Sequence, residues 1–260
     1  MALAGINEDE IPLANIVAAH NMDMVGKGRV TDVKFGGPNS VQTLGARRLS
    51  RQFGDIIAAA NRGERSAMFL FDESVRTMIT RSGGMGMDLQ SRIDGGLVAA
   101  RSIDPAELSP GEFIQSIRHE VEHNDARLVV IDSLSGYLNA MAGEKYVMIQ
   151  LHELLAYLGS LGVVTILINA QQGLIGPLST SIDVSYLADT VVMLRYFETG
   201  GEVRQAMSVL KKRTGAHERT IRELTFTAQG LCVGEPLRGF NGILTGVPQE
   251  SHAPAVVAPR

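Results

Sequence analysis

From about Arg62 onward, short apolar runs alternate with longer stretches of helical period. The runs at residues 67–71, 97–102, 128–132 and 163–169 read as strands covered on both faces, as in a mostly parallel sheet flanked by helices. Between them, Ser109-Pro110-Gly111-Glu112 has the form of a capping box with proline at the first helical position, and predicts a helix to about residue 123. Another helix is predicted over 145–161, with Ile149, Leu154, Leu155, Leu158 and Leu161 on one stripe. Two later β-rich runs, 190–197 and 203–211, flank Glu198-Thr-Gly-Gly-Glu202 and predict an antiparallel hairpin on the carboxyl-terminal side.

The amino-terminal stretch carries a weaker pattern. Gly36-Gly37-Pro38-Asn39-Ser40 marks a turn, and no convincing strand precedes it. Leu49, Phe53, Ile56, Ile57 and Ala60 recur at helical spacing, which predicts a helix over 46–61 lying against the sheet. The expected organisation is a divergent segment at 1–61, an α/β core at 62–248 and a flexible tail at 249–260.

A chain of 260 residues, 45% apolar and 20% charged, can bury one large α/β core. Its apolar runs are too short to cross a membrane, and the acidic opening at Asn7 to Glu10 is unlike a signal peptide, so a soluble, cytoplasmic protein is expected. Cys232 is the only cysteine, which excludes an intrachain disulfide and a cysteine-rich metal site. The formal net charge of −4 supplies no general attraction for polyanions, so nucleic acid is not an expected partner despite the local Lys211-Lys212-Arg213 run.

Two strand ends carry candidate chemistry. In Leu128-Val-Val-Ile-Asp-Ser133 an apolar run ends in a carboxylate, which at the carboxyl edge of a sheet could hold Mg²⁺ beside a nucleotide. Alternatively Asp132 caps the segment that follows. Phe69-Leu-Phe-Asp-Glu-Ser74 repeats the arrangement with two acids, one of which could polarise an attacking water; capping of a helix near Val75 by Asp72 or Ser74 is the competing reading.

Taken in order, Arg62-Gly-Glu-Arg65, FLFDES, LVVIDS, Leu187-Ala-Asp-Thr190, LRYFETGGEVRQAMSVLKKRTGAHER and Val233-Gly-Glu-Pro236 resemble the carboxyl-terminal half of KaiC-like ATPases, over about seven-tenths of the chain. The resemblance implies a RecA-like core that assembles into rings, commonly hexamers, as a homo- or hetero-oligomer with RecA-like neighbours. ATP and Mg²⁺ would lie between neighbours, with a role in signal transduction. By that resemblance Asp72 and Glu73 stand where the family carries two glutamates that include its catalytic base. Asp132 stands at the Mg²⁺-binding acid, and Lys211 and Arg213 are the cations extended toward a neighbour's γ-phosphate. Asn169 and Gln171 match phosphate-sensing positions, with ordinary turn chemistry as their alternative. The phosphorylated hydroxyl pair falls on Ser185 and Tyr186, where tyrosine departs from the family's serine and threonine.

The phosphate loop Gly-x-x-x-x-Gly-Lys-Ser/Thr is missing from the chain. Val25-Gly-Lys-Gly28 lacks both the hydroxyl residue and the earlier glycine. At the expected place, around Gln42 to Leu49, Gly45 is the only glycine. Arg47 and Arg48 there either contact phosphate or sit on the exposed face of the predicted helix. A degenerate natural subunit and an altered reading frame before Arg62 both account for this. The expected function is therefore a partner or regulatory subunit with weak or no hydrolysis. An active ATPase or autokinase with an unconventional loop, and a recombinase-like DNA-binding module, are the alternatives.

Overall fold

The computed structural model describes residues 18–20, 56–57, 59–104, 108–140, 146–170, 187–213, 217–227, 230–245 and 248–250. Five strands form one parallel sheet in the order β1-β5-β4-β2-β3, where β1 is Ala18–His20, β2 Arg65–Leu70, β3 Val98–Ser102, β4 Ala126–Asp132 and β5 Val164–Ala170. The helices are α1 (Val75–Gly84), α2 (Leu89–Asp94), α3 (Pro110–Glu122), α4 (Leu134–Ala140) and α5 (Val147–Ser160). This is the α/β, RecA-like arrangement the sequence predicts.

Alternating side chains of each central strand enter two separate cores. Ala67, Phe69, Val129, Ile131 and Leu167 pack with Phe113, Ile117, Tyr137, Leu151, Leu154 and Leu158 on one face. Met68, Leu70, Leu128, Val130, Ile166 and Ile168 pack with Ile56, Met78 and Leu89 on the other. Burial of both faces explains why the strands carry nearly unbroken apolar runs. Ile56, Ile57, Ala59, Ala60 and Asn61 are helical, so the end of the predicted 46–61 helix is present, and Ile56 is buried; the rest of that helix lies outside the described residues.

Helix α3 begins as its sequence signals. The Ser109 hydroxyl accepts from Glu112 N at 3.3 Å, and the Glu112 carboxylate accepts from Ser109 N at 2.8 Å, with Pro110 opening the helix. Helix α5 corrects the predicted stripe. Its buried line is Val147, Leu151, Leu154 and Leu158, whereas Ile149 and Leu161 are 56% and 41% exposed. Spacings of four, three and four follow the 3.6-residue turn, and Ile149 falls on the opposite side.

The carboxyl-terminal part is a four-stranded antiparallel sheet in the order β6-β7-β8-β9, formed by β6 (Thr190–Thr199), β7 (Glu202–Lys212), β8 (Arg222–Thr227) and β9 (Gly230–Pro236). Gly200 and Gly201, at φ 57° and 75°, make the two-residue turn of the predicted hairpin. Short strands β10 (Phe240–Asn241) and β11 (Gln249–Glu250) pair antiparallel, so chain pairing reaches Glu250; residues 251–260 lie outside the described ones.

Strand β1, paired with β5 through Ala18 opposite Ile168, stands in the stretch where the sequence offered no convincing strand. Two alanines and a histidine have little β preference, so the pairing comes from the sheet and not from local propensity. Among the described residues, no helix is long and apolar enough to cross a membrane.

The corrected stripe is testable by urea unfolding of single variants. Leu154→Ala is expected to reduce the unfolding free energy by about 2–5 kcal/mol. Ile149→Ala is expected to change it by no more than about 0.5 kcal/mol.

Candidate functional site

The central strands end level. Leu70 of β2, Asp132 of β4 and Ile168 of β5 share one row, and Ser102 of β3 pairs with Leu70. The ladder continues one step further, with Phe71 N donating to Asp132 O at 2.6 Å and Ile103 N to Leu70 O at 2.8 Å. Asp132 therefore sits at the carboxyl edge, only 4% exposed, and Asn169 lies one residue beyond the row, 8% exposed and still within β5. Its place in a strand sets aside the turn alternative for Asn169. Gln171 lies outside the described residues.

The capping alternatives resolve in favour of serines. The Ser74 hydroxyl accepts from Thr77 N at 3.1 Å and caps α1. Ser133 performs the equivalent task on the next segment, its hydroxyl accepting from Gly136 N at 3.0 Å. Serines thus serve the amides of Thr77 and Gly136 at the two helix starts beside the acidic edge.

Asp72 is nevertheless held firmly. Ser133 Oγ donates to Asp72 Oδ2 at 2.5 Å and lies 2.9 Å from Ser135 Oγ. A hydroxyl–carboxylate bond of this length is of the strong, charge-assisted kind. Gly136 presses on the other oxygen: a Cβ there would stand 2.8 Å from Asp72 Oδ1 and 2.8 Å from Phe71 Cβ. Beneath them, Phe69, Phe71, Phe113 and Tyr137 form an edge-packed aromatic cluster, and burial pushes the Tyr137 phenol up to about 12.

Glu73 turns the other way and pairs with Arg81 of α1, a guanidinium whose side chain is only 6% exposed. The neighbouring backbone is tied to β3, with Val75 N donating to Ser102 Oγ at 3.0 Å and that hydroxyl donating to Glu73 O at 3.4 Å. The two adjacent acids thus have different surroundings, Asp72 fastened by a hydroxyl and Glu73 by a buried cation. Sequence reasoning missed Ser133, Gly136 and Arg81. The small residues of Asp132-Ser-Leu-Ser-Gly136 were the available signal for close approach, but their partner stands 61 positions away.

The predicted cations lie on the other sheet. Lys211 pairs with Val191 and Lys212 with Thr190 at the end of the β6–β7 ladder. Arg213 follows, with its N donating to Asp189 O at 2.7 Å and its Nη1 lying 2.9 Å from Asp189 Oδ1. Ser185 and Tyr186 lie outside the described residues, as do Gly45, Arg47, Arg48 and the Val25–Gly28 step.

Past Arg213, Glu218 organises the approach to β8. Its carboxylate accepts from Thr220 N at 3.0 Å, from Thr220 Oγ1 at 2.7 Å and from Arg222 Nη2 at 3.1 Å. These bonds, Thr220's first, hold Glu218 down at about 2. A shallow cavity beside this turn is lined by Met207, Val209, Val233, Lys212, His217 and Arg222, away from the acidic edge.

The acidic edge fits Mg²⁺ chemically. Among the described residues no group of three or more His, Cys, Asp or Glu converges. A carboxylate such as that of Asp132 is the kind of hard oxygen ligand that Mg²⁺ takes, alongside phosphate and water. The sequence contains no glycine-rich loop with a following lysine and hydroxyl.

A family model described as "ATPase: KaiC" matches residues 27–238. The circadian clock protein KaiC3 of Synechocystis sp. is 28% identical over 187 residues, covering 72% of this chain and 37% of that protein. The circadian clock oscillator proteins KaiC of Picosynechococcus sp. and Thermostichus vulcanus are each 26% identical, over 188 and 187 residues, covering 72% of this chain and 36% of theirs. The chain thus spans little more than a third of the length of the curated relatives it matches.

Gly136→Ala is expected to destabilise the protein by about 1–3 kcal/mol, because its methyl meets Asp72 and Phe71. Gly111→Ala, where a Cβ meets nothing within 4 Å, is expected to be neutral or stabilising by up to about 1 kcal/mol; denaturant unfolding compares the two. Since Glu218 is depressed from 4.5 to about 2, its contribution to the 217–222 turn is complete above the ordinary carboxylate range and lost as pH falls through about 2. Amide signals of Thr220 followed by NMR from pH 6 downward should stay native-like to about pH 3 and shift as pH falls through about 2, while Glu218→Gln should show the perturbed signals already at pH 6.

Proposed function

The chain belongs to the KaiC ATPase family, and on that premise we propose that it is a ring subunit acting mainly on its neighbours' nucleotides, with weak or no ATP hydrolysis of its own. The observation that carries the reading is the contrast between a built acidic edge and a missing phosphate cradle. Asp72 and Asp132 occupy the sheet's carboxyl edge, whereas no Gly-Lys-Ser/Thr step occurs anywhere in the chain. A chain without that step lacks the lysine and hydroxyl from which a phosphate loop draws much of its affinity for a triphosphate in cis.

The cations supply the other half. Lys211 and Arg213 stand at the end of a different sheet from the acids, an arrangement suited to reaching across a subunit seam. A guanidinium or ammonium placed beside a transferring phosphoryl group offsets the charge that spreads over its oxygens. In this role the subunit would belong to a homo- or hetero-oligomeric ring, up to a hexamer, with RecA-like neighbours that hold Mg²⁺ and ATP. Asn169 and Gln171 would sense phosphate, Ser185 would be the residual phosphorylation position, and partner regulation would fit signal transduction.

Asp72 remains the residue best suited to act as a base should any turnover occur, since Glu73 is engaged by Arg81. It is one methylene shorter than glutamate, which shifts its oxygens away from an attacking water placed for the longer side chain.

The test is to mix the chain with an intact KaiC-family ATPase and follow Mg²⁺-dependent phosphate release. The mixture is expected to differ in rate from the ATPase alone, and the effect should vanish with Arg213→Ala. An unchanged rate for the unmodified chain overturns the partner role. Binding of a fluorescent ATP analogue to the isolated chain is expected to be weak. Tight binding with turnover abolished by Asp72→Asn would identify an active ATPase instead.

A further inference from the structure

Resting on the reading that Arg213 meets a phosphate, we propose that Asp189 is its positioning residue, holding the guanidinium at the base of the β6–β7 hairpin until a phosphate group takes the carboxylate's place. The β6–β7 ladder ends at Thr190 opposite Lys212, and Asp189 and Arg213 are the next pair outward. They are joined at two levels. Arg213 N donates to Asp189 O at 2.7 Å, which fixes where the arginine leaves the backbone, and Nη1 meets Asp189 Oδ1 at 2.9 Å, which aims the side chain.

Asp189 itself stands on rigid ground. Its neighbours Ala188 and Thr190 are 0% and 7% exposed, so the carboxylate projects from a packed segment. The pair, by contrast, faces water: Arg213 is 56% exposed and Asp189 28%. Ion pairs in such surroundings are worth little and exchange readily. A phosphate presents more charge and more acceptor oxygens to the planar guanidinium fork than one carboxylate does.

Another arginine of the same sheet shows the contrast. Arg204 donates Nε to Glu223 Oε1 at 2.7 Å and Nη2 to Glu223 Oε2 at 2.5 Å, with both side chains more covered, at 31% and 25% exposure. That two-point, half-sheltered pair is a structural tie. The Asp189–Arg213 pair, with its arginine 56% exposed, has the exposure of a contact made to be exchanged.

The experiment titrates inorganic tripolyphosphate into the full chain at low salt by calorimetry. Asp189→Asn removes the competing charge while keeping the backbone acceptor, and is expected to tighten binding about three- to fivefold, the scale of an exposed ion pair. Asp94→Asn, the same charge change on α2, should leave affinity unchanged, and the gain should disappear when Arg213→Ala is combined with Asp189→Asn. Asp189→Ser repeats the measurement should the asparagine variant lose its native spectrum. An affinity no tighter than that of the unmodified chain, an equal gain in Asp94→Asn, or a gain that survives Arg213→Ala overturns the proposal. Because these titrations use the isolated chain, failure of the ring reading shows separately, as an Arg213→Ala variant that alters a neighbour's ATPase rate no differently from the unmodified chain.

Discussion

A parallel sheet sealed on both faces confines polar chemistry to its ends. Ala67, Phe69, Val129 and Ile131 fill one core, and Met68, Leu70, Leu128 and Val130 the other, so no central position of β2 or β4 can accept an unpaired charge. Parallel pairing with level register then brings the ends of β2, β4 and β5 to the same line. Asp72, Asp132 and Asn169 therefore all stand at the sheet's carboxyl edge. Helices α1 and α4 start from that edge as well, and it is Ser74 and Ser133 that serve their free amides.

The antiparallel sheet answers a different requirement. Its strands carry Lys211 and Arg213 at the hairpin base, and ion pairs such as Arg204–Glu223 and Glu218–Arg222 brace the strands behind them. Acids and cations are thereby mounted on separate frameworks. Val191 of β6 packs in the same core as Val129 and Leu167, so the two sheets are joined within the chain.

Much of this was legible beforehand, for identifiable reasons. Strands such as 128–132 announced themselves because both their faces are buried, and Ser109-Pro-Gly-Glu112 specified α3 through local bonds alone. Helix α5 was located correctly but rotated in part, since Ile149 and Leu161 are as apolar as the buried Leu151 and only the packing partner decides which side turns inward. Strand β1 was invisible because three weak β-formers are recruited by β5. At the site, the acids could be named from strand ends. The grip of Ser133 on Asp72 depends on a contact across 61 positions that no local pattern encodes.

The contact between Gly136 and Asp72 ties two distant positions to a common volume. The space that a Cβ at 136 would need is already taken by Asp72 Oδ1, so a larger residue at either place intrudes on the other. Lengthening Asp72 to glutamate adds a methylene next to a helix that already touches it, and the longer acid could be accepted only by a different rotamer or a retreat of α4. The acid's identity and the helix's distance from the sheet are therefore coupled, and placing glutamate at 72 would require a redesigned turn from Ser133 to Gly136 in the same step.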